Sequence, residues 1–391
     1  MDLSYGEEYE KFRTDVRAFL EANWPPSGDE AELPRAEGAA RFRDRATEGG
    51  FLRRGIPKEF GGSEQPPDEI EANIIREEFS RAHAPMDVRG IGTMMLVPTL
   101  LERGNQWQKE KFVEGTVKGE IRWCQGYSEP GAGSDLASLQ TRAVRDGDEY
   151  VITGQKIWTT GADKADWIFC LVRTDPEAPK HDGISFILFS MHQPGVEVAP
   201  LRLIDGSADF SQVFFDGARA KAKNVVGPVN GGWTVAKRLL QHERSTDGGS
   251  EGGITGAQKE TLVELVKREV GLENGVLADP AIRQRLAAQE LEADALRLTM
   301  RRAGEEFRAN QMGRDIGSLG KYRWANMVKN EQDIAMLALG TQGLGWSGPG
   351  FEDTQLERTR AWLSTRADSI WGGTNEVQLN VIAKRVLQIP E

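Results

Sequence analysis

The sequence is poor in the residues that build metal centres and disulfide frameworks. It contains two cysteines, Cys124 and Cys170, which form no C-x-x-C motif, and four histidines that are scattered along the chain. Structural metal sites and disulfide scaffolds need several such side chains at short, regular spacings. We therefore expect neither a metal site nor a disulfide framework.

Long apolar runs and basic clusters are also missing. No segment approaches the roughly 20 apolar residues that span a bilayer, and MDLSYGEEYEKF lacks the charged-then-apolar pattern of a signal peptide. The formal net charge is -11 and no basic block offsets it, so a nucleic-acid partner would meet phosphate repulsion. We expect a cytoplasmic protein that binds neither membranes nor nucleic acids.

What is present divides the chain into three regions, which together predict an α+β multidomain protein. Residues 1–120 show helical periodicity, first from Tyr5 to Leu20 and again after Pro66-Pro67. Residues 121–231 contain short β-type runs such as EYVITGQKIWTTG and WIFCLVR, separated by turn signals such as DGDE and QPG. Residues 232–391 return to long helical patterns that suit an antiparallel bundle.

The most informative stretch opens the β region and reads CQGYSEPGAGSDLASLQTRAVRDGDEYVITGQKIWTTG, residues 124–161. Its turn, residues 130–135, has two glycines and a hydroxyl that can present hydrogen-bond donors to a phosphate, although an ordinary β-turn has the same composition. It is neither a G-x-G-x-x-G motif nor a P-loop. Trp158 and Thr160 lie on one face of their strand by alternation, as either core or ligand-binding residues would.

A second stretch, ADSIWGGTNEVQ at residues 367–378, leads into the helical pattern NVIAKRVL. Thr374 is the predicted N-cap of that helix. A Gly-Gly pair in front of a helix brings backbone N–H groups close to a ligand, and this arrangement suits an anionic or oxygen-rich group.

Together, these stretches resemble the acyl-CoA dehydrogenase family, whose signature contains Y-S-E-P-G-A-G-S-D followed by G-Q-K-x-W-x-T. The resemblance covers the whole chain and implies a helical N-terminal domain (1–120), a barrel-like middle β domain (121–231) and a C-terminal four-helix-bundle domain (232–391). It also implies FAD as the cofactor, an acyl-CoA substrate, an electron-transfer flavoprotein as acceptor, and a homo-oligomer (dimer or tetramer) or heterotetramer.

The resemblance also assigns roles to individual residues. Ser128 would reach the flavin ring beside Gln125 and Tyr127, while Gly133 and Ser134 would approach the pyrophosphate. Trp158 and Thr160 would surround the reactive edge of the flavin, and Thr374 and Glu376 would serve the adenosine end. Ser134 and Trp371 are also candidate substrate contacts, and a backbone N–H at Gly372 would face the thioester oxygen.

The catalytic base requires a separate argument, because Gly372 occupies the position at which many family members carry a glutamate. Other members place the base in a Glu-Arg pair on an earlier helix, and LLQHERST contains Glu243-Arg244. Glu243 follows Val235 and Leu239 at i, i+4, i+8 spacing, so it would share their apolar stripe, where burial would raise its pKa. Glu243 is the predicted base, and Arg244 is predicted to lie near the CoA portion of the substrate.

Several alternatives remain open at this stage. Glu243 could instead be a solvated residue paired with Arg244, with Asp247 the next candidate base. The chain could be a non-catalytic partner subunit of a heteromeric dehydrogenase, or a flavin oxidase or monooxygenase on the same fold. It lacks the Arg-x-x-Phe-Gly element through which many relatives contact a neighbouring subunit's FAD. The glycine-rich DGGSEGG after the candidate base resembles features of bacterial relatives with bulky substrates, including steroid side chains, and glycines there would widen the acyl pocket.

Overall fold

The N-terminal region consists of helices, the first three of which share one apolar core. The computed structural model describes residues 6–245, 260–308 and 316–390, except for the side chains of residues 243–245 and 304–308. The first helices are α1 (Glu7–Asn23), α2 (Arg35–Glu48), α3 (Glu69–Arg81), α4 (Val97–Arg103) and α5 (Gln106–Lys118). Val16, Phe42 and Phe79 are fully buried in the centre of this cluster, which confirms the predicted helical character of the region.

The second predicted helix begins later than its proline pair. Asp68 is the N-cap of α3, and its carboxylate accepts hydrogen bonds from the N–H groups of Ile70 and Glu71. A side chain that satisfies these N–H groups sets the first turn more strongly than the fixed φ of a preceding proline. The helix therefore starts at Glu69, and Pro66-Pro67 lie outside it. Tyr5 lies outside the described residues.

A seven-stranded sheet follows the helices. Its strands are β1 (Trp123–Gly126), β2 (Arg142–Asp146), β3 (Glu149–Thr160), β4 (Trp167–Arg173), β5 (Ile184–Ser190), β6 (Val196–Leu201) and β7 (Phe210–Lys221). The order is β1-β4-β2-β3-β7-β6, and β5 pairs with β4. The parallel pairing of β1 with β4 sets Gly126 opposite Cys170, so the first half of the signature leaves the sheet beside a buried strand.

The C-terminal region is helical apart from one short hairpin. Its elements are α6 (Gly232–Ser245), α7 (Leu262–Val270), β8 (Leu272–Glu273), β9 (Val276–Leu277), α8 (Pro280–Arg308), α9 (Ile316–Leu339), α10 (Asp353–Ser364) and α11 (Asn375–Val381). α7, α8 and α9 meet at a core that includes Leu265, Leu286 and Ile334. Helical periodicity predicted α6, α8, α9 and α11, whereas α7 and α10 were not predicted.

The chain forms two compact units. The first comprises the described residues of Met1–Gly131, Ala137–Ala199 and Gln212–His242, and the second comprises those of Ala132–Leu136, Pro200–Ser211 and Glu243–Glu391. Each unit is described separately below. Among the described residues, no helix is both long and apolar enough to cross a membrane.

Candidate active site

Trp158 has a backbone conformation that is rare for a bulky side chain. Its φ is 61°, in the left-handed region that bulky residues rarely adopt, and its side chain is 55% exposed. Thr160 is exposed like Trp158, whereas Thr159 between them is buried, as strand alternation predicts. Strained backbone conformations of this kind cluster at ligand-binding sites, so the end of β3 is a candidate site.

A buried ion pair joins the two halves of the signature, and sequence reasoning missed it. Lys156 is fully buried, and its Nζ lies 2.8 Å from Oε1 of Glu129. The same Nζ donates to the carbonyl oxygen of Tyr127 at 3.0 Å. Glu129 also accepts from the N–H groups of Gln140 at 2.6 Å and Thr141 at 2.9 Å. The sequence offered one signal for this ion pair: an acidic residue, Glu129, lies in the first half of the motif and a basic residue, Lys156, lies in the second half.

This network outweighs the cost of burying the Glu129 carboxylate. Burial by itself would raise the pKa of Glu129, but the Lys156 ammonium and the N–H donors of Gln140 and Thr141 lower it overall. In addition, Ile157 N–H donates to the carbonyl oxygen of Ser128 at 2.9 Å. The segment Tyr127–Glu129 is therefore tied to β3 immediately before Trp158.

The predicted flavin contacts near Ser128 differ in how far their side chains are buried. Gln125 and Ser128 are half-buried, whereas Tyr127 is buried. The Tyr127 ring packs edge-on against Phe169 and Phe186, with ring centroids 6.1 and 6.4 Å away. The side chain of Tyr127 is thus part of the core, and only its backbone is available for contacts beside Ser128.

The glycine-rich turn is open around its glycines. Gly131, Gly133 and Ser134 are exposed, and a Cβ built on either glycine would meet no atom within 4 Å. Both glycines therefore leave space in front of the backbone, as a phosphate-binding turn requires. Gly133 and Ser134 belong to the second compact unit.

The Gly372-Gly373 turn of the second unit presents free donors. Both glycines are exposed and have positive φ, 61° and 88°. Their carbonyl oxygens accept from Gln378 Nε2 at 3.2 and 3.4 Å, whereas their N–H groups have no acceptor among the residues that the structure describes. Exposed N–H groups held in a rigid turn suit a ligand oxygen.

The residues around this turn also have defined positions. Thr374 is the N-cap of α11, and its hydroxyl accepts from Val377 N–H at 3.2 Å, which confirms the predicted cap. The Trp371 ring lies 5.7 Å from the Phe210 ring. Hydrogen bonds from its own N–H and from Thr374 lower the pKa of Glu376, so this carboxylate is a weak base at the start of the helix.

The candidate base lies on a helix whose neighbouring residues are well anchored. Val235 and Leu239 of α6 are buried as predicted, and Arg238 donates to both carboxylate oxygens of Glu102 at 2.6 and 2.5 Å. The side chains of Glu243 and Arg244 lie outside the described residues, as does Asp247. The described part of the chain contains no cluster of His, Cys, Asp and Glu side chains suited to a metal ion.

Comparison with known proteins agrees with this domain order. The chain matches the description "Acyl-CoA dehydrogenase, N-terminal domain" over residues 6–120, the middle domain over 124–218 and the C-terminal domain over 230–387. It is 37% identical over 394 residues to "Acyl-CoA dehydrogenase IpdE1" of Mycobacterium tuberculosis (strain ATCC 25618 / H37Rv), with 98% of each chain covered.

Two solved structures are similar over the full length. One is the "Tcur3481-Tcur3483 steroid ACAD", at 29% identity and a TM-score of 0.72. The other is the ChsE4-ChsE5 complex from Mycobacterium tuberculosis, at 28% identity and a TM-score of 0.73. In both cases 100% of each chain is covered.

The domain matches define a flavin-dependent oxidoreductase whose β domain lies between two helical regions along the sequence. The chain belongs to the acyl-CoA dehydrogenase family. FAD is the cofactor of this family, and the described residues fit it. Trp158 offers an exposed aromatic surface, and the turns at Gly133 and Gly372 offer backbone space and N–H donors.

Proposed function

We propose that this protein catalyses the α,β-dehydrogenation of an acyl-CoA thioester to the 2-enoyl-CoA. The observation that carries the proposal is the strained, exposed Trp158, which the Glu129–Lys156 pair ties to the rest of the family signature. This supports a ligand-binding role, because strained backbone conformations cluster at ligand-binding sites and a tryptophan that served only as core would be buried.

In this proposal the signature residues hold the cofactor. Ser128 and Gln125, with the backbone at Tyr127, contact the flavin ring, and Trp158 and Thr160 cover its reactive edge. Gly133 and Ser134 bind the pyrophosphate. Thr374 and Glu376 serve the adenosine end. FAD, when bound, supplies the acceptor for the hydride that leaves the β-carbon of the substrate.

The Gly372 N–H stabilises the negative charge that develops on the thioester oxygen when the α-proton leaves. The exposed, unpaired N–H groups of the turn support this role, since a preorganised donor lowers the barrier for such charge development. Trp371 and Ser134 contact the substrate beside it, and Arg244 binds near its CoA portion.

Glu243 removes the α-proton in this proposal. Gly372 provides no side chain for that step, and Glu243 follows the buried residues Val235 and Leu239 along one face of α6. A carboxylate on an apolar face has a raised pKa, which brings its basicity towards neutral pH.

The substrate is proposed to be a CoA thioester with a bulky acyl group, such as a steroid side chain. The similar Tcur3481-Tcur3483 structure is described as a "steroid ACAD". A panel of straight-chain, branched and steroid side-chain acyl-CoA thioesters, each added anaerobically to the purified holoenzyme, tests this. Bleaching of the oxidised flavin by the steroid class is expected, and fastest bleaching by a short straight chain would contradict the proposed class.

The Glu243→Gln variant tests the base. We expect it to fold and retain FAD but to reduce flavin about 10² to 10⁴ times more slowly with the best thioester, since this is the usual contribution of a general base. Asp247→Asn is the matched control and should keep the wild-type rate. An unchanged rate in Glu243→Gln would show that another residue, or another subunit, removes the proton.

A second candidate function is that of a partner subunit in a heteromeric dehydrogenase. The observation that supports this candidate is that the similar ChsE4-ChsE5 structure is a complex of two named chains. Purified protein that lacks flavin absorbance and stays inactive with every thioester would favour this candidate.

Fast reoxidation of the reduced flavin in air would instead favour an oxidase or monooxygenase. With a dehydrogenase, the reduced flavin should pass electrons to an electron-transfer flavoprotein.

A further inference from the structure

A lysine of α9 supports the Gly372-Gly373 turn. Lys321 is half-buried, and its Nζ donates to the backbone carbonyl oxygen of Asp368 at 2.6 Å. Its Cε lies 3.8 Å from the position that a Cβ on Gly372 would occupy, so the end of the lysine side chain lies beside the turn. The hydrogen bond to Asp368 fixes the backbone four residues before Gly372.

The carboxyl group of Asp368 is buried in the same place. Asp368 is 2% exposed, and its Oδ1 has no hydrogen-bond partner among the described residues. Trp371 approaches the carboxyl as a hydrogen-bond donor, and the cations that face it are Lys321 and Lys329 of α9 and the neighbouring Arg366. Burial nevertheless dominates and raises the pKa of Asp368.

A buried, incompletely bonded carboxyl group lowers stability, so a purely structural role does not explain it. Natural proteins have few such groups, and those present call for an explanation. Here Trp371 approaches the carboxyl group as a hydrogen-bond donor, and the lysine that donates to the Asp368 carbonyl oxygen lies beside Gly372. Lys321 and Asp368 are thus next to Trp371 and Gly372, where the unpaired N–H groups of the turn begin.

We propose that Lys321 and Asp368 are positioning residues that hold Trp371 and the Gly372 N–H in the orientation needed to bind the thioester oxygen. This inference rests on the proposed function. Neither residue touches the reacting atoms. Lys321 fixes the start of the turn through the Asp368 carbonyl, and Asp368 restrains the Trp371 indole.

Lys329 provides a matched control. It lies on the same helix, is also half-buried, and donates to the Ser369 hydroxyl at 3.1 Å. It therefore contacts the residue next to Asp368 without approaching Gly372. Loss of Lys329 removes an equivalent charge from the same surroundings but leaves the support of the turn in place.

The test compares the holoenzyme with Lys321→Met, Asp368→Asn and Lys329→Met. The measurements are FAD content, and the rate and half-saturating concentration of anaerobic flavin reduction by the thioester that bleaches the wild type fastest. We expect Lys321→Met to lower the limiting rate by about 10-fold to 100-fold, less than the loss of an oxyanion donor itself. Asp368→Asn should lower it less, and half-saturation and FAD content should change less than twofold in both.

The outcomes separate this inference from the proposed function. Lys329→Met should stay within twofold of wild type, and a loss equal to that of Lys321→Met would overturn the positioning role. A Lys321→Met variant that loses FAD or fails to fold, together with an Asp368→Asn variant of wild-type rate, would also overturn it. A wild-type flavin that no thioester bleaches would overturn the proposed function and, with it, this inference.

Discussion

The buried carboxyl group of Asp368, to which we assign a positioning role, lowers the stability of the folded protein at neutral pH. Burial raises its pKa from 3.8 to about 6, so the folded protein binds more protons than the unfolded chain between these two values. The free energy of unfolding therefore falls as pH rises through this window. At neutral pH the ionised Asp368 therefore lowers the free energy of unfolding.

Asp368→Asn should consequently be more stable than the wild type at pH 7. The difference between a pKa of 3.8 and one of about 6 corresponds to an upper limit of about 3 kcal/mol. Urea unfolding of both proteins at pH 7 and at pH 4, at equal FAD saturation, measures it. The gain should shrink at pH 4. A variant less stable than wild type at pH 7 would mean that the charge stabilises the fold through Lys321 and Lys329.

Trp158 shows how far residue-level reasoning from sequence reaches. Alternation along its strand predicted that Trp158 and Thr160 share a face, and both are exposed. Alternation could not predict the positive φ of Trp158, because a backbone conformation that disfavours the residue must be imposed by surrounding structure.

At the scale of elements, the Glu129–Lys156 ion pair links β3 to the segment Tyr127–Glu129 and stabilises both. Breaking a buried pair by removing one partner costs about 3 to 5 kcal/mol, because the remaining charge stays buried. Lys156→Met should therefore lower stability by about this amount and weaken FAD binding. Thermal unfolding and flavin absorbance after gel filtration measure the two effects.

Lys164→Met is the control for this variant, since Lys164 lies just after β3 but is 76% exposed. It should have no measurable effect. Adding Glu129→Gln to Lys156→Met should recover part of the lost stability by removing the isolated charge. If the single Lys156→Met variant retains both wild-type stability and FAD, the ion pair does not hold the loop.

Helix and strand prediction also differed between elements for a physical reason. α6 and β3 carry strong periodic patterns and were predicted within a few residues. α3 began two residues after the proline pair because Asp68 caps it. α7 and α10, which are 9 and 12 residues long, were not predicted, whereas the 7-residue α11 was, because the Gly-Gly pair and the N-cap Thr374 mark its start.

At the scale of the whole molecule, FAD should contribute to folding stability. A ligand that binds only the folded state stabilises it by about 2.7 kcal/mol at a free concentration 100 times its Kd. Removal of FAD should therefore lower the thermal midpoint, and added FAD should restore it in a concentration-dependent way. ADP at the same concentration is the control. An unchanged midpoint would argue against FAD as a bound cofactor of this chain.

The sequence by itself determined the order of helical and β regions, because this follows from local periodicity, and its motifs of neighbouring residues carried the resemblance to the family, which implies FAD. Only the tertiary structure showed the Glu129–Lys156 pair and the Lys321–Asp368 contact, whose partners are 27 and 47 residues apart. It also showed that Tyr127 is a core residue, that Gly372 is exposed, and that its N–H has no acceptor among the described residues. Such features depend on which distant segments pack together, and a burial pattern along one strand or helix does not encode that choice.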